Sequence, residues 1–451
     1  MNGGRGKEAG IGDHGSGIQK QSHAEFDASP GPSTERPEFS DNGPRTSDPD
    51  GIPGRKLNVL QVCDHLGWEG SRMHGVKRLF AWMIPRFDPA RYNVSLVSLR
   101  RKDLSEETLD SYGIDITYLH KSKFDPATLP ALLKVIDRKR IDVLHLHGYG
   151  ATTFGRLAGG MKRIPTIVHE HANLTATPWF QQAADAMLEP ITDIAIAVSR
   201  STADFLVNAR KIPANKVKVV YLGVPLEEFS RPRSAEEIAG ARRELGLAPE
   251  DFAVGTVTRL HDSKGNSFLV SAARLVLDRR PQARFFVVGE GPLRADLEHQ
   301  AQQLGLGDRL VFSGFARDVA RVVSAFDVSV FPSLWEGTPL TVFEALAMGK
   351  TILATDADGL VDVLTSEHDA VIVAKRDASA LAAGIVRLMD DPAERARLGA
   401  QARISGQQYD IAAFVRKMEQ LYELLHRLSR PTHRRGILEA DLSFLVSRAT
   451  A

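Results

Sequence analysis

Residues 326–350 read FDVSVFPSLWEGTPLTVFEALAMGK. The stretch opens as a buried apolar strand that ends at Ser333, turns through Gly337, Thr338 and Pro339, and continues as a helix that Gly349 stops. Thr338 is expected to cap the helix, its hydroxyl accepting a first-turn amide. Pro339 fits the first helical position, where its missing N–H costs nothing. A helix that starts at the carboxyl end of a strand is half of a βαβ unit. Its free amides and positive dipole end make a ready anion site. Glu336 and Glu344 flank that start. A carboxylate cannot ligate phosphate, but it accepts hydrogen bonds from sugar hydroxyls. The arrangement suits a ligand with phosphate in the middle and hydroxylated rings on both sides, as in a nucleotide sugar. The competing reading is a capped amphipathic helix with incidental acids.

Working outward, the same strand-then-helix pattern recurs on both sides. An earlier series of apolar runs comprises KLNVLQVC, YNVSLVSL, IDVLHLH, IPTIVHE, DIAIAVS and VKVVYLG. A later series comprises DFAVGTVTRL, ARFFVVGEG, DRLVFSGF, FDVSVFPS, KTILATD and DAVIVAK. Near-continuous apolar strands separated by helices signal parallel sheets covered on both faces. The fold class is therefore α/β, with two doubly wound domains in tandem and the polar stretch GVPLEEFSRPRSAEEI between them as a linker. The length of 451 residues is too great for one core and sufficient for two. Ligands of such sheets bind beyond the carboxyl ends of the strands, so the cleft between the domains is the expected site.

Bulk composition narrows the classes. Cys63 is the only cysteine, which excludes an internal disulfide framework and any cysteine-rich metal site and suits a reducing cytoplasm. No apolar run is long enough for a transmembrane helix, and no secretory signal is visible. Residues 56–225 carry 23 Lys+Arg against 16 Asp+Glu, so the first domain is basic although the chain nets +1. An anionic partner, such as a lipid surface or a phosphorylated substrate, or simply a solvated face, accounts for that excess. Residues 1–54 are rich in Gly, Pro, Ser and Asp and are expected to be disordered. Nucleic-acid binding has little support, because no compact basic cluster interleaves with aromatics.

Other strand ends add chemistry. TRLHDSKG places Arg259 and Lys264 together, with Gly265 after them. Two cations there can neutralise a diphosphate. VVGEGP gives Gly289, Glu290 and Gly291, where backbone can approach a ligand. In the first domain, Gly67, Gly70 and Gly75 lie in a loop before a helix, with a spacing that is not the dinucleotide fingerprint. IPTIVHEHAN ends a strand with His169, Glu170 and His171 directed to the cleft. An H-x-H pair can bind metal, but no third ligand is evident, and a histidine hydrogen-bonding substrate is the reading adopted.

Taken together, these residues resemble family-four retaining glycosyltransferases of the GT-B fold over roughly residues 56–425. The most specific element is the E-x7-E stretch from Glu336 to Glu344; RL...KG, VVGEGP, HLHGYGATTFGRLAGG and IPTIVHEH support it. The resemblance implies two Rossmann-like domains, 55–226 on the acceptor side and 227–408 on the nucleotide-sugar side. It also implies a crossover helix at 409–430, followed by a tail at 431–451. It assigns Arg259 and Lys264 to the donor diphosphate, Glu344 to the ribose hydroxyls and Glu336 to the donor sugar. Gly337, Thr338 and Leu340 would contact phosphate through their backbone, and Gly314 and Phe315 would border the base. His171 would lie near the transferred sugar, with His169 as its competitor, and Gly70 and Gly289 would approach the donor.

The implied activity is transfer of a sugar from a UDP- or GDP-sugar to a glycan, lipid-linked or other hydroxyl acceptor, with retention and with no cofactor or divalent metal required. Asp356 and Asp358 form an Asp-x-Asp where the family usually has glycines; a metal there is the alternative to a loop variant. The rival functions are a nucleotide-sugar 2-epimerase or hydrolase on a similar fold, and a non-catalytic scaffold. The helix GVKRLFAWMIPRF carries Val76, Leu79, Phe80 and Met83 on one stripe beside Lys77 and Arg78. It reads either as a cover for the sheet or, with Trp82 and Arg86 at the headgroups, as a peripheral membrane contact. The expected location is the cytoplasm, with association at the inner face of the membrane as the hypothesis.

Overall fold

The first series of runs forms seven parallel strands: β1 (Leu57–Cys63), β2 (Tyr92–Ser98), β3 (Ile116–Tyr118), β4 (Val143–His147), β5 (Thr166–Glu170), β6 (Ile194–Ala197) and β7 (Val217–Val219). This is a computed structural model, and it describes residues 55–66, 75–102, 109, 112–172, 178–428 and 440–445. The strand order is β3-β2-β1-β4-β5-β6-β7, so the winding reverses between β1 and β4. The second series forms β8 (Phe252–Val257), β9 (Ala283–Val288), β10 (Leu310–Gly314), β11 (Val328–Phe331), β12 (Ile352–Thr355) and β13 (Val371–Val373). Its order, β10-β9-β8-β11-β12-β13, reverses between β8 and β11. Each sheet thus opens a crevice at the carboxyl ends of its central strands.

The central strands read as unbroken apolar runs because helices cover both faces. Val59, Leu60 and Val62, successive on β1 apart from Gln61, are all fully buried. Strand β3 was not among the runs read from the sequence. It is three half-buried residues at a sheet edge, too short and too wet to need an apolar run. The stretch 223–238 is not a bare linker: Leu226–Phe229 is helical with Phe229 buried. Ser234 and Glu237 form a reciprocal capping box on the next helix, Ala235–Glu244.

The helix Ile411–Leu428 returns to the first sheet and covers the face that carries Gln61 and His145, to which the Tyr422 hydroxyl is hydrogen-bonded. The chain passes between the sheets at 223–225 and again at 409–411. These passages run side by side, with Val224 N–H donating to Tyr409 O and Ile411 N–H to Val224 O. One apolar cluster joins the halves, from Leu79 and Phe80 through Met418 and Ile411 to Phe343 and Leu346.

The helix Gly75–Met83 is a sheet cover and not a lipid-facing element. Leu79, Phe80, Trp82 and Met83 are buried, and so is Lys77. The Trp82 ring packs edge-on against Phe229, and Arg86 is tied to Trp82 O and Glu227. That burial overturns the reading of this helix as a membrane contact. Residues 1–54, Gly67 and Gly70, and most of the 431–451 tail lie outside the described residues.

Candidate active site

A cavity of about 540 Å³ lies where the two crevices meet. The first sheet's side contributes His65, Val76, Arg78 and His171; the second contributes Arg259, Lys264, Gly289, Phe315, Arg317 and the segment Trp335–Thr341, among others. Of the expected site residues, His171, Arg259, Lys264, Gly289, Phe315, Glu336, Gly337, Thr338 and Leu340 therefore come together on one cavity wall or another. Gly314, His169 and Glu344 do not line it.

Two glycines let backbones close on this space. At Gly289, φ is 138°, and a Cβ would fall 1.8 Å from Thr258 O. At Gly337, a Cβ would fall 2.3 Å from His171 O, so only glycine lets the two halves meet here.

The helix after β11 starts one residue later than the sequence suggested. It spans Leu340–Met348, and its cap position is Pro339, whose extended backbone (φ −74°, ψ 135°) offers no side-chain acceptor. Thr338 does not cap. Its hydroxyl turns the other way, donating toward Gly337 O at 2.7 Å, with Val198 O at 3.3 Å. The uncapped start favours an anion: no side chain caps the first-turn amides, and Leu340 and Thr341 line the cavity.

Both acids of the E-x7-E stretch have cationic partners. Lys264 is ion-paired with Glu336, and Ser333 donates to the same carboxylate at 2.8 Å. Glu344 is fully buried, with Arg78 Nη1 2.6 Å from its Oε1. Its Oε2 has no hydrogen-bond partner among the described residues. Burial pushes the Glu344 carboxyl up to about 7, outweighing the attraction of Arg78, with Glu228 adding to the rise. Arg78 lines the cavity and stacks over Trp82 at 4.5 Å, so it is the link between Glu344 and the ligand space. Sequence reading did not place Arg78 in the site, because the partners are far apart in the chain.

Below the cavity, four imidazoles stack on one face of the first sheet. His145 and His147 come from β4; His169 belongs to β5 and His171 follows it. Ring centroids of His169 and His171 are 4.2 Å apart, and those of His145 and His147 are 4.5 Å apart. His169 is almost wholly buried, which keeps it from the ligand space. Burial lowers all four rings, His145 and His171 to about 3, so they are neutral at physiological pH. Ring nitrogens of His145, His147 and His169 lie within 4.8 Å of one another, as a metal trio would require. In His145 and His147, however, both nitrogens are already hydrogen-bonded. The signal available in the sequence was H-x-H on two consecutive parallel strands, which places four rings on one face.

The end of β5 is held by a second buried network. Arg210 pairs with Asp185 at 2.8 Å and with Glu170 at 2.7 Å, and Arg156 pairs with Asp185 as well. It fixes Glu170 immediately before His171. Asp356 and Asp358 stand outside the cavity lining, each engaged by Lys375: Asp356 accepts its backbone N–H at 2.8 Å, and Asp358 lies 3.5 Å from its Nζ.

Two doubly wound sheets whose crevices share one cavity, with a cation pair and an uncapped helix start on one wall, define the GT-B transferase architecture. The family model described as "Glycosyl transferases group 1" matches residues 238–405, and "Glycosyltransferase Family 4" matches residues 73–228. The chain belongs to this family of glycosyltransferases. A relative in Escherichia coli, UDP-Gal:alpha-D-GlcNAc-diphosphoundecaprenol alpha-1,3-galactosyltransferase, is 25% identical over 59% of this chain and 71% of its own. The lipopolysaccharide core biosynthesis mannosyltransferase LpsB of Rhizobium meliloti is 31% identical over 52% of this chain and 66% of its own. Among solved structures, HepE of Anabaena in complex with UDP has the same fold, with a TM-score of 0.70 at 20% identity. The match covers 81% of this chain and all of that one.

Proposed function

We propose that the chain is a retaining glycosyltransferase that uses a nucleotide-sugar donor, a UDP- or GDP-sugar, and transfers the sugar to a glycan, lipid-linked or other hydroxyl acceptor. The observation that carries this reading is the wall formed by Arg259, Lys264 and the uncapped Leu340–Met348 helix start, with His171 across the cavity. Departure of a nucleoside diphosphate builds negative charge on phosphate. Arg259, Lys264 and the first-turn amides sit where that charge is stabilised. They supply the positive charge, so the reaction is expected to need no divalent metal. Ribose hydroxyls would engage Glu344 by exchanging with Arg78.

Retention rests on the resemblance to family-four retaining enzymes. No Asp or Glu stands among the described lining residues of the first sheet's side, which gives no support to a double displacement through a carboxylate nucleophile. The route we infer is same-face attack, with the leaving phosphate taking the acceptor's proton. Closure of the two halves on the donor would exclude water.

A lipid-linked acceptor is supported by an exposed aromatic patch on the first sheet's side. Phe124, Trp179 and Phe180 are in ring contact and are 56%, 80% and 44% exposed. Lys123 lies over the Phe124 ring. Aromatic rings beside a lysine suit the headgroup layer of an anionic bilayer. No described helix is long and apolar enough to cross a membrane. A Phe124/Trp179/Phe180 triple alanine variant should lose flotation with anionic liposomes; unchanged flotation would remove this patch from the reading.

The decisive test is turnover of a panel of UDP-, GDP- and ADP-sugars with and without EDTA, beside a Lys264→Ala variant. Donor-selective turnover that persists in EDTA and is lost in the variant supports the reading. No binding to any donor points to a scaffold. Hydrolysis or epimerisation without acceptor points to the rival enzyme, and EDTA-sensitive turnover to metal at Asp356 and Asp358.

A further inference from the structure

Six buried or half-buried groups form one unbroken hydrogen-bonded array from the last helix to the cavity. Gln61 Nε2 donates to the Tyr422 hydroxyl at 2.9 Å, and Gln61 Oε1 meets His147 Nε2 at 2.8 Å. His147 Nδ1 meets His171 Nε2 at 2.8 Å. On the other branch, the Tyr422 hydroxyl meets His145 Nδ1 at 2.7 Å, and His145 Nε2 meets His169 Nδ1 at 3.0 Å.

With the Gln61 amide oriented as in the structure, Oε1 toward His147 and Nε2 toward Tyr422, the array has a single polarity; a flipped amide would reverse every bond. An amide oxygen only accepts, so His147 carries its proton on Nε2 and gives it to Gln61. Each ring is neutral and holds one such proton, so His147 Nδ1 is bare and accepts from His171 Nε2–H. His171 is left with a bare Nδ1. Tyr422 accepts from Gln61 and spends its one proton on His145 Nδ1. His145 Nε2–H then donates to His169 Nδ1, and His169 Nε2–H ends the branch without an acceptor among the described residues. In this polarity His169 Nε2–H is a buried donor left unpaired among the described residues, a cost the array bears at its far end.

We propose that Gln61, anchored by Tyr422, is a positioning residue that fixes the tautomer of His171 through His147, so that His171 presents Nδ1 to the cavity as an acceptor. The role rests on the reading of His171 as a contact of the transferred sugar. A bare Nδ1 accepts a hydrogen bond from a hydroxyl of that sugar and rejects an acceptor group in its place, such as a carboxylate or carbonyl oxygen. It also ties the returning C-terminal helix to the cleft, since the anchoring Tyr422 lies on Ile411–Leu428. Gln61 and Tyr422 are 361 positions apart, so the link exists only in the folded chain.

The test is long-range ¹H–¹⁵N correlation on the full chain with ¹⁵N-labelled histidine, which reads the protonated nitrogen of each ring. Wild type should show His147 and His171 as Nε2–H. Gln61→Leu should release both into mixed tautomers. Gln61→Glu keeps an acceptor for His147 and should retain them, while His145 changes to Nδ1–H because Tyr422 must now donate to residue 61. On the preferred donor, Gln61→Leu should lower kcat about tenfold with little change in donor KM, and Gln61→Glu should recover most of it. A wild-type His171 protonated at Nδ1 overturns the proposal, and so does a Gln61→Leu variant with unchanged tautomers. The wild-type spectrum decides the first point even if a variant does not fold. Tautomers that shift as expected while kcat stays unchanged leave the array standing and overturn the donor-sugar role of His171 instead.

Discussion

Glu344→Gln isolates the cost of a buried carboxylate that only one cation partly offsets. Glu344 is fully buried and its carboxyl is raised from the ordinary 4.5 to about 7. The folded chain therefore binds a proton that the unfolded chain has released between those values. Stability is greatest below the unfolded value and falls as pH rises through the folded one. At about 1.4 kcal/mol per pH unit, the wild type should lose roughly 3 kcal/mol between pH 4.5 and pH 8 through this group alone. Glutamine has nothing to titrate, so the variant should gain that amount relative to wild type across the same window. All other groups titrate alike in both proteins and cancel in the difference. For a chain of this length, the gain corresponds to about 4 °C in Tm. Scanning calorimetry of both proteins from pH 4.5 to 8 measures it. If Glu344 engages the ribose as proposed, donor affinity supplies the opposite sign: replacing the charge-assisted acceptor should weaken donor binding about tenfold at pH 8. Wild-type and variant Tm profiles that run parallel would refute the raised carboxyl, whatever happens to binding.

Three further outcomes test the rest of the site. Lys264→Ala removes the cation proposed for the donor diphosphate and the partner of Glu336; kcat/KM should fall about a hundred- to a thousandfold, roughly 3–4 kcal/mol, in a steady-state donor assay. Asp185→Ala leaves Arg156 and Arg210 buried without their shared carboxylate, and urea denaturation should show a loss of about 3–5 kcal/mol. Gly337→Ala drives a methyl into His171 O; turnover should collapse while the Tm of the chain falls by only a few degrees, because the contact is local. An active Gly337→Ala enzyme would mean that the halves do not meet at this point during the reaction.

What the sequence disclosed and what it hid divide along one line, the range over which a residue's partner can be read. The strands of both sheets, β3 excepted, are contiguous apolar runs, and each is legible because burial on both faces demands it of consecutive residues. The helix start after β11 is legible for the same reason, since strand, turn and helix are adjacent, although its cap was misplaced by one residue. Thr338 has the right side chain for a cap, but Pro339 stays extended and shifts the start to Leu340. The partners of the acids were not legible. Glu344 takes Arg78 from the other half, and nothing near either residue announces the pair. His169 and His171 look alike in IPTIVHEH, and alternation places both on one face. Only the return of Ile411–Leu428, with Phe414 6.2 Å from the His169 ring, separates them, sealing His169 away and leaving His171 at the cavity. The chemistry of this site is therefore set by local sequence, whereas its charge balance and tautomers are set by contacts that form only when the last helix crosses back. A variant that loosens that helix should change how the cleft handles protons before it changes which residues line it.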